Sequence, residues 1–168
     1  MLKKSLIALS FLTLPLTVSA DWLAGGGYAN FSAENDGTDV SLGTIFGSVG
    51  YEFMAEGSEF SFMPELRLGT GISDDTIDSV KIEIERFTAF SIRGQYNYDN
   101  GVYLYVMPSY ANLDVKASYN GQSDSDDDWE FGFGGGVGKK MNENMSIEAS
   151  FESYDETDVF TVGFKYAF

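Results

Sequence analysis

The chain has no cysteine and no histidine, and its ten Lys and Arg residues stand against 26 Asp and Glu in 168 residues. Without cysteine the fold contains no disulfide, so its stability has to come from packing or from closure of a sheet. Without histidine it lacks the proton carrier of serine–histidine acyl-transfer enzymes, and we expect neither enzymatic activity nor a cofactor. The net charge of −16 at pH 7 disfavours nucleic acid as a partner and favours cations and basic surfaces.

Long apolar runs are also missing, apart from one short run at the N-terminus. It covers residues 5–18, follows two lysines, is broken by Pro15 and ends at the small residues 18–20. A helix that crosses a bilayer needs about 20 apolar residues, whereas a shorter run before small residues is typical of a cleaved leader. We predict that residues 1–20 are a signal peptide and that 21–168 form one domain. The mature chain would then carry eight basic and 26 acidic residues.

The last ten residues alternate large apolar side chains with small or polar ones and end on Phe168. A strand with this pattern has one apolar face and one polar face. A final phenylalanine preceded by aromatics at alternate positions resembles the closing strand of bacterial outer-membrane β-barrels. This resemblance implies that Phe164, Tyr166 and Phe168 form the signal read by the barrel assembly machinery, after delivery by periplasmic chaperones.

Alternation with a period of two divides the remaining chain into eight candidate strands. They are predicted at 22–31, 42–54, 60–72, 80–95, 102–117, 129–140, 145–154 and 159–168. Short connections at 55–59, 96–101 and 141–144 would be periplasmic turns, and those at 32–41, 73–79, 118–128 and 155–158 would be outer loops. The pattern predicts an all-β fold, an eight-stranded antiparallel up-and-down transmembrane β-barrel.

Half of all the acidic residues fall in the four predicted outer loops. They are Glu34, Asp36, Asp39, Asp74, Asp75, Asp78, Asp124, Asp126, Asp127, Asp128, Asp155, Glu156 and Asp158. Such a rim would face outer-membrane lipid and lipopolysaccharide, whose anionic groups repel it unless divalent cations bridge the two. The alternative is a solvated charged surface without a specific partner.

One acidic run has oxygen ligands at alternate positions, as at the start of a calcium loop. Asp124, Asp126 and Asp128 supply these oxygens. However, Trp129 stands where an EF-hand needs glycine, and no glutamate follows at the twelfth position. We therefore expect weak ion binding at most.

Charged side chains share the polar face of the predicted strands. The inward set is Glu52, Glu65, Arg67, Glu85, Arg93, Glu130, Glu148, Glu152 and Lys165. The interior of an eight-stranded barrel is just wide enough to be filled by side chains, and buried charges need partners. We predict a hydrogen-bonded ion network that fills the barrel, with six carboxylates against three cationic groups. The alternative is a narrow cation-selective passage lined by the glutamates.

Two of the predicted strands, 22–31 and 102–117, have an undecided facing. In the second of these, Val102, Leu104 and Val106 compete with Tyr103, Tyr105 and Met107 for the lipid. Proline also interrupts two strand patterns, at Pro64 and Pro108, where the missing N–H costs a ladder bond unless a bulge absorbs it.

The glycine-rich segment Phe131-Gly132-Phe133-Gly134-Gly135-Gly136-Val137-Gly138, the asparagine turn around Asn142–Asn144 and the strand Met145–Phe151 are similar to the corresponding part of small outer-membrane barrels. With the eight-strand pattern, they identify the chain as resembling the OmpA/OmpX type. The resemblance implies a monomer in the outer membrane of a Gram-negative bacterium. Larger family members continue into a peptidoglycan-binding domain, which is not expected here.

The functional hypothesis is a structural and surface-interaction protein, acting in envelope integrity or adhesion through acidic extracellular loops. The first alternative is a small cation-selective pore or solute channel. The second is a soluble periplasmic β-sandwich whose aromatic faces meet in a core.

Overall fold

The computed structural model describes residues 18–35, 38–77, 80–119 and 122–168. Nine strands account for nearly all of them. The strands are β1 (Val18–Asn35), β2 (Thr38–Ala55), β3 (Phe60–Gly71), β4 (Asp74–Ile77), β5 (Val80–Asn97), β6 (Val102–Tyr119), β7 (Gln122–Lys140), β8 (Met145–Ser153) and β9 (Thr157–Ala167). Most of the predicted signal peptide lies outside the described residues, and β1 begins at Val18. The described part of the chain has no helix with the length and hydropathy of a membrane span.

Eight of these strands close into an antiparallel barrel. Each strand from β5 to β8 pairs with its successor, as do β1 and β2, and β2 and β3. The ring closes through β3 with β5 and through β1 with β9, whose register runs from Leu23↔Ala167 to Ala33↔Thr157. The short β4 pairs with the start of β5 and extends the wall there. The predicted all-β, eight-stranded antiparallel barrel is confirmed.

The two ends of the barrel differ in how the chain reverses. At one end, here called the turn end, short turns cover 56–59, 98–101 and 141–144. At the other, here called the hairpin end, β1 and β2 stay paired as far as Asn35↔Thr38, and β6 and β7 as far as Tyr119↔Gln122. The predicted loops 32–41 and 118–128 are therefore largely strand. Their residues are polar on both faces, so apolar alternation does not detect them.

Outward and inward residues alternate through the wall of the barrel. Phe62, Phe131 and Phe164 are each more than half exposed. Side chains that face lipid are exposed in this way when no lipid is present. The structure also decides the facing of the two predicted strands, 22–31 and 102–117, that the sequence left open. Tyr103 and Tyr105 point inward and are buried, whereas Leu104 and Val106 point outward, as do Trp22 and Tyr28 in β1.

Both prolines coincide with gaps in a ladder. Between β2 and β3 the pairing stops at Gly50↔Glu65 and resumes at Phe53↔Phe62, which leaves Pro64 unpaired on that side. Between β5 and β6 it stops at Ser91↔Ser109 and resumes at Gly94↔Val106, next to Pro108. Each gap lies where proline has no N–H to donate.

Aromatic contacts mark two levels on the outer surface. Near the turn end, Trp22 and Tyr51 have ring centroids 5.0 Å apart, and Phe60 and Tyr96 are 4.8 Å apart. Further toward the hairpin end, Tyr110 stacks on Trp129 at 5.1 Å. Aromatic belts at two levels are typical of barrels that cross a membrane.

The interior contains an apolar cluster towards the hairpin end and charged residues below it. The apolar cluster is Ala29, Phe31, Leu42, Ile84, Phe87, Ala89, Ala111, Tyr154 and Val159. Phe87 and Val159 are 1% exposed. The sequence patterns did not predict this apolar layer.

Candidate functional site

Six charged side chains from four strands meet inside the barrel and are here called the ion cluster. They are Glu65 and Arg67 of β3, Arg93 of β5, Glu148 and Glu152 of β8, and Lys165 of β9. The two-residue period of the strands turns each of them inward. Their side chains are at most 10% exposed, so the interior is filled where the charges lie.

Two of the cluster's pairs have the two-pronged geometry of strong arginine–carboxylate contacts. The guanidinium of Arg67 donates to both oxygens of Glu152, at 2.5 and 2.7 Å. Arg93 donates in the same way to Glu148, at 2.6 and 3.0 Å. Each pair joins strands that are not neighbours in the wall, so the contacts span the interior.

Glu65 connects these pairs through the middle of the cluster. It accepts a hydrogen bond from Lys165, lies 3.6 Å from Nη2 of Arg93 and 3.9 Å from Nε of Arg67. Lys165 also approaches Glu148 at 4.0 Å. The cluster thus contains three carboxylates and three cations, and its formal charge is zero. Buried charges are tolerated when they are paired and hydrogen-bonded in this way.

Neutral side chains complete the cluster, and the sequence patterns missed them. Tyr103 donates to Glu148 at 2.8 Å, and Tyr154 and Ser109 contact Glu152 at 2.9 and 3.0 Å. The guanidinium of Arg93 lies 3.8 Å from the ring centroid of Tyr105, a cation–π contact.

Glycines on the inward face of β7 make room for these bulky partners. A Cβ on Gly138 would overlap the ring of Tyr103, and one on Gly136 would overlap the ring of Tyr105. Tyr103 pairs with Gly138 and Tyr105 with Gly136 across the β6–β7 ladder. The sequence alone left the facing of Tyr103 and Tyr105 undecided. The inward glycines of the next strand were the sequence feature that could have placed both tyrosines inside.

The other three predicted interior charges lie outside the cluster. Glu52, near the turn end, accepts from Ser61 at 2.6 Å and from Gln95 at 3.3 Å. Glu130 faces inward near the hairpin end and is half-buried.

Glu85 does not face the interior, and its inward assignment is corrected. The β5–β6 register shifts between Ile84 and Arg86, which marks a bulge. An extra residue reverses the alternation, so Ile84 and Phe87 both point inward although they are three positions apart. The Glu85 side chain is 45% exposed and pairs with Lys116 at 2.7 Å. Losing Glu85 removes part of the charge imbalance that the sequence predicted.

Little open space remains at the level of the ion cluster. A void of about 20 Å³ lies among the cluster residues, and another of about 30 Å³ lies between Glu52 and Lys165. A single water needs roughly 10–15 Å³ of such space, so each void has room for only a few waters. A much larger cavity, about 210 Å³, lies above them towards the hairpin end.

Carboxylates outnumber Lys and Arg side chains among the described residues of the hairpin end. Lys81 donates to Glu83 at 2.7 Å; this hydrogen bond raises the pKa of Lys81 and lowers the pKa of Glu83. Lys116 is likewise bound to Glu85, which raises the pKa of Lys116. Arg86 contacts Asp114 at 3.3 Å.

The predicted calcium-loop residues lie in a strand. Positions 124, 126 and 128 are part of the extended strand β7, where alternate residues are about 7 Å apart, so the backbone there does not curl around an ion. The Asp126 side chain lies outside the described residues, as do Asp36 and Asp78 and the side chains of Glu34 and Asp39. Within the part of the chain whose side chains are described, no group of three or more potential metal ligands occurs.

The predicted assembly residues lie on the outer surface at the end of β9. Phe164 is 52% exposed, Tyr166 47% and Phe168 69%. Their recognition by the assembly machinery stays a prediction.

The family model for the outer membrane protein beta-barrel domain matches residues 5–168. The chain belongs to the outer membrane protein beta-barrel domain family. This membership agrees with the resemblance stated from the sequence, and it identifies the exposed aromatic surface as the lipid-facing side of a transmembrane barrel.

Solved structures of other outer-membrane barrels share the fold. Ail, the attachment invasion locus protein of Yersinia pestis, solved with the heparin analogue sucrose octasulfate, superposes with a TM-score of 0.65 at 18% identity, over 89% of this chain and 99% of Ail. Neisserial surface protein A gives 0.62 at 12% identity, over 89% and 99%. The N-terminal β-barrel domain of Pseudomonas aeruginosa OprF gives 0.56 at 15%, over 86% and 97%. No curated protein matches the chain in sequence.

Proposed function

We propose that this protein is a non-enzymatic, non-conducting outer-membrane barrel that acts at the cell surface through its acidic hairpins. The observation that carries the proposal is the neutral ion cluster. Its six side chains pair their charges across the lumen, with contacts of 2.5–2.7 Å between Arg67 and Glu152. A barrel filled in this way leaves no space for a substrate at the level of the ion cluster. The surface open to partners is therefore the hairpin end.

The charge of the hairpin end points to cationic partners. Lys81, Arg86 and Lys116 already contact carboxylates, whereas Asp124, Asp127, Asp155 and Glu156 remain exposed. The favoured partners are divalent cations that bridge to lipopolysaccharide, and basic surfaces of other proteins. A polysulfate such as the one bound to Ail would be repelled by these hairpins.

Binding of the protein in lipid nanodiscs to polylysine-coated and heparin-coated surfaces tests this proposal. We expect binding to polylysine that weakens with salt and no binding to heparin. The variant Asp124→Asn/Glu156→Gln should bind polylysine less tightly. The control Asp99→Asn/Glu143→Gln removes the same two charges at the turn end and should bind as the wild type does. Equal loss in both variants would contradict a role for the hairpin end.

The lipopolysaccharide partner has its own test. In lipopolysaccharide-containing membranes, calcium should raise the unfolding temperature of the wild type more than that of Asp124→Asn/Glu156→Gln. An unfolding temperature that is independent of calcium in both proteins would leave no role for bridging cations.

The cation pore is the second candidate, because Glu52 and Glu130 place carboxylates near opposite ends of the lumen. A pore would pass potassium into proteoliposomes at a rate that Glu52→Gln and Glu130→Gln reduce. A closed interior predicts no flux above that of empty vesicles.

We also propose the route by which the protein reaches this place. Residues 1–20 direct export and are removed, the C-terminal aromatics bind the assembly machinery, and the barrel functions as a monomer. The alternation of aromatic and small or polar residues in β9 supports recognition by the assembly machinery. Cleavage after Ala20 would leave β1 paired with β2 from Asp21, which lies opposite Glu52.

A further inference from the structure

The cavity of about 210 Å³ at the hairpin end is separate from the ion cluster and has no role in the function proposed above. Aromatic side chains form its floor, namely Phe31, Phe87 and Tyr154. The inward residues of β6 form one wall, and Asp128 and Glu130 of β7 lie on another. The cavity therefore combines an apolar interior with two carboxylates.

The ion cluster contacts the floor from below. Phe31 and Phe87 pack edge to face with centroids 5.1 Å apart. The Arg67 guanidinium lies 5.7 Å from the ring centroid of Phe87, and the Tyr154 hydroxyl donates to Glu152. A preformed apolar pocket binds a ligand without the cost of ordering its own side chains.

Among the described residues, no cationic side chain pairs with the two carboxylates of the cavity. Asp128 and Glu130 lie at alternate positions of β7 and so face the same side. Within the described part of the chain, neither carboxylate has an ion-pair or hydrogen-bond partner. Arg67, below the floor, is already bound to Glu152.

We propose that this cavity binds a small organic cation, an ammonium group carried on a short apolar or aromatic body. The ammonium would lie at Glu130 and Asp128, and the apolar part would lie against Phe31, Phe87 and Tyr154. Ligand pockets for drug-sized molecules usually measure about 300–1,000 Å³, so a cavity of about 210 Å³ fits a ligand of roughly ten non-hydrogen atoms. This inference does not depend on the surface-interaction role.

The test compares three probes of similar size that differ in charge. These are phenethylammonium, neutral phenethyl alcohol and anionic 3-phenylpropionate. Each is titrated into the protein in lipid nanodiscs, and the methyl resonances of Ala111, Leu113 and Val115 are followed by NMR. We expect saturable shifts with the ammonium, about fivefold to tenfold weaker binding of the alcohol and no binding of the carboxylate.

Variants then separate charge from shape. Glu130→Gln should bring ammonium binding down to that of the alcohol, and Val115→Phe should weaken both probes by filling the cavity. Asp127→Asn removes a charge from the outward side of the same strand and should leave both affinities unchanged. The proposal is overturned if ammonium and alcohol bind the wild type equally, if neither saturates, or if Asp127→Asn acts as strongly as Glu130→Gln.

Discussion

Removing one charge from the ion cluster should destabilise the barrel strongly, and removing its partner as well should restore much of the loss. Glu152 is the clearest site, because its side chain is 0% exposed and accepts two hydrogen bonds from Arg67 and one each from Ser109 and Tyr154. Glu152→Gln replaces one acceptor oxygen by an amide that faces the guanidinium, and leaves the cluster with one uncompensated positive charge.

The expected loss follows from the cost of breaking a buried ion pair, about 3–5 kcal/mol. Arg67→Met should cost a similar amount, since it leaves Glu152 unpaired. The double variant Arg67→Met/Glu152→Gln retains two carboxylates and two cations, so its charges balance again. We expect it to be more stable than the sum of the single losses predicts by at least about 2 kcal/mol, as contacting residues can show.

The free energy of unfolding can be measured by urea titration in lipid vesicles, with the fluorescence of Trp22 and Trp129 as the signal. Glu143→Gln, in an exposed turn, is the control and should change stability by less than about 0.5 kcal/mol. A loss below about 1 kcal/mol for Glu152→Gln, or additive losses in the double variant, would refute the paired cluster.

Three further predictions concern the wall of the barrel and its export. Phe164→Asp places a carboxylate on the lipid face and should cost up to roughly 2–4 kcal/mol, depending on its depth in the bilayer; unchanged stability would argue against the outward facing of β9. Gly138→Ala should cost about 1–3 kcal/mol because the added Cβ overlaps the Tyr103 ring. Gly47→Ala, with its nearest atom at 3.9 Å, should be nearly neutral, and equal losses at both glycines would exclude the steric explanation. The mass of the exported protein should correspond to cleavage after Ala20, and an intact N-terminus would contradict the signal peptide.

The alternation of large and small side chains predicted most of the fold. In β7 and β8 every apolar residue shares one parity, and in β9 only Val159 and Ala167 depart from it. Strand position, facing and neighbours therefore follow together for most of this part of the wall. The inward pair Glu148 and Glu152 could be named from sequence for this reason. Their partners Arg67 and Arg93 could be named as inward, but the pairing itself depends on the shear of the closed barrel, which no single strand encodes.

The errors have equally local causes. The bulge beside Glu85 adds one residue to β5, and no side chain there signals it. The parity of β6 was undecided because both of its faces are apolar, and glycines in the next strand resolve it. The hairpins beyond the membrane are polar on both faces, so their strands resembled loops.

The conductance of planar lipid bilayers containing the refolded protein tests most directly the claim that the ion cluster closes the barrel. A closed interior predicts no conductance from the wild type in potassium or calcium salts, with insertion confirmed separately. It also predicts discrete conductance steps for Arg93→Ala/Glu148→Ala, which removes one ion pair and keeps the charges balanced. Cation-selective steps from the wild type, reduced by Glu130→Gln, would contradict the closed interior and favour a pore.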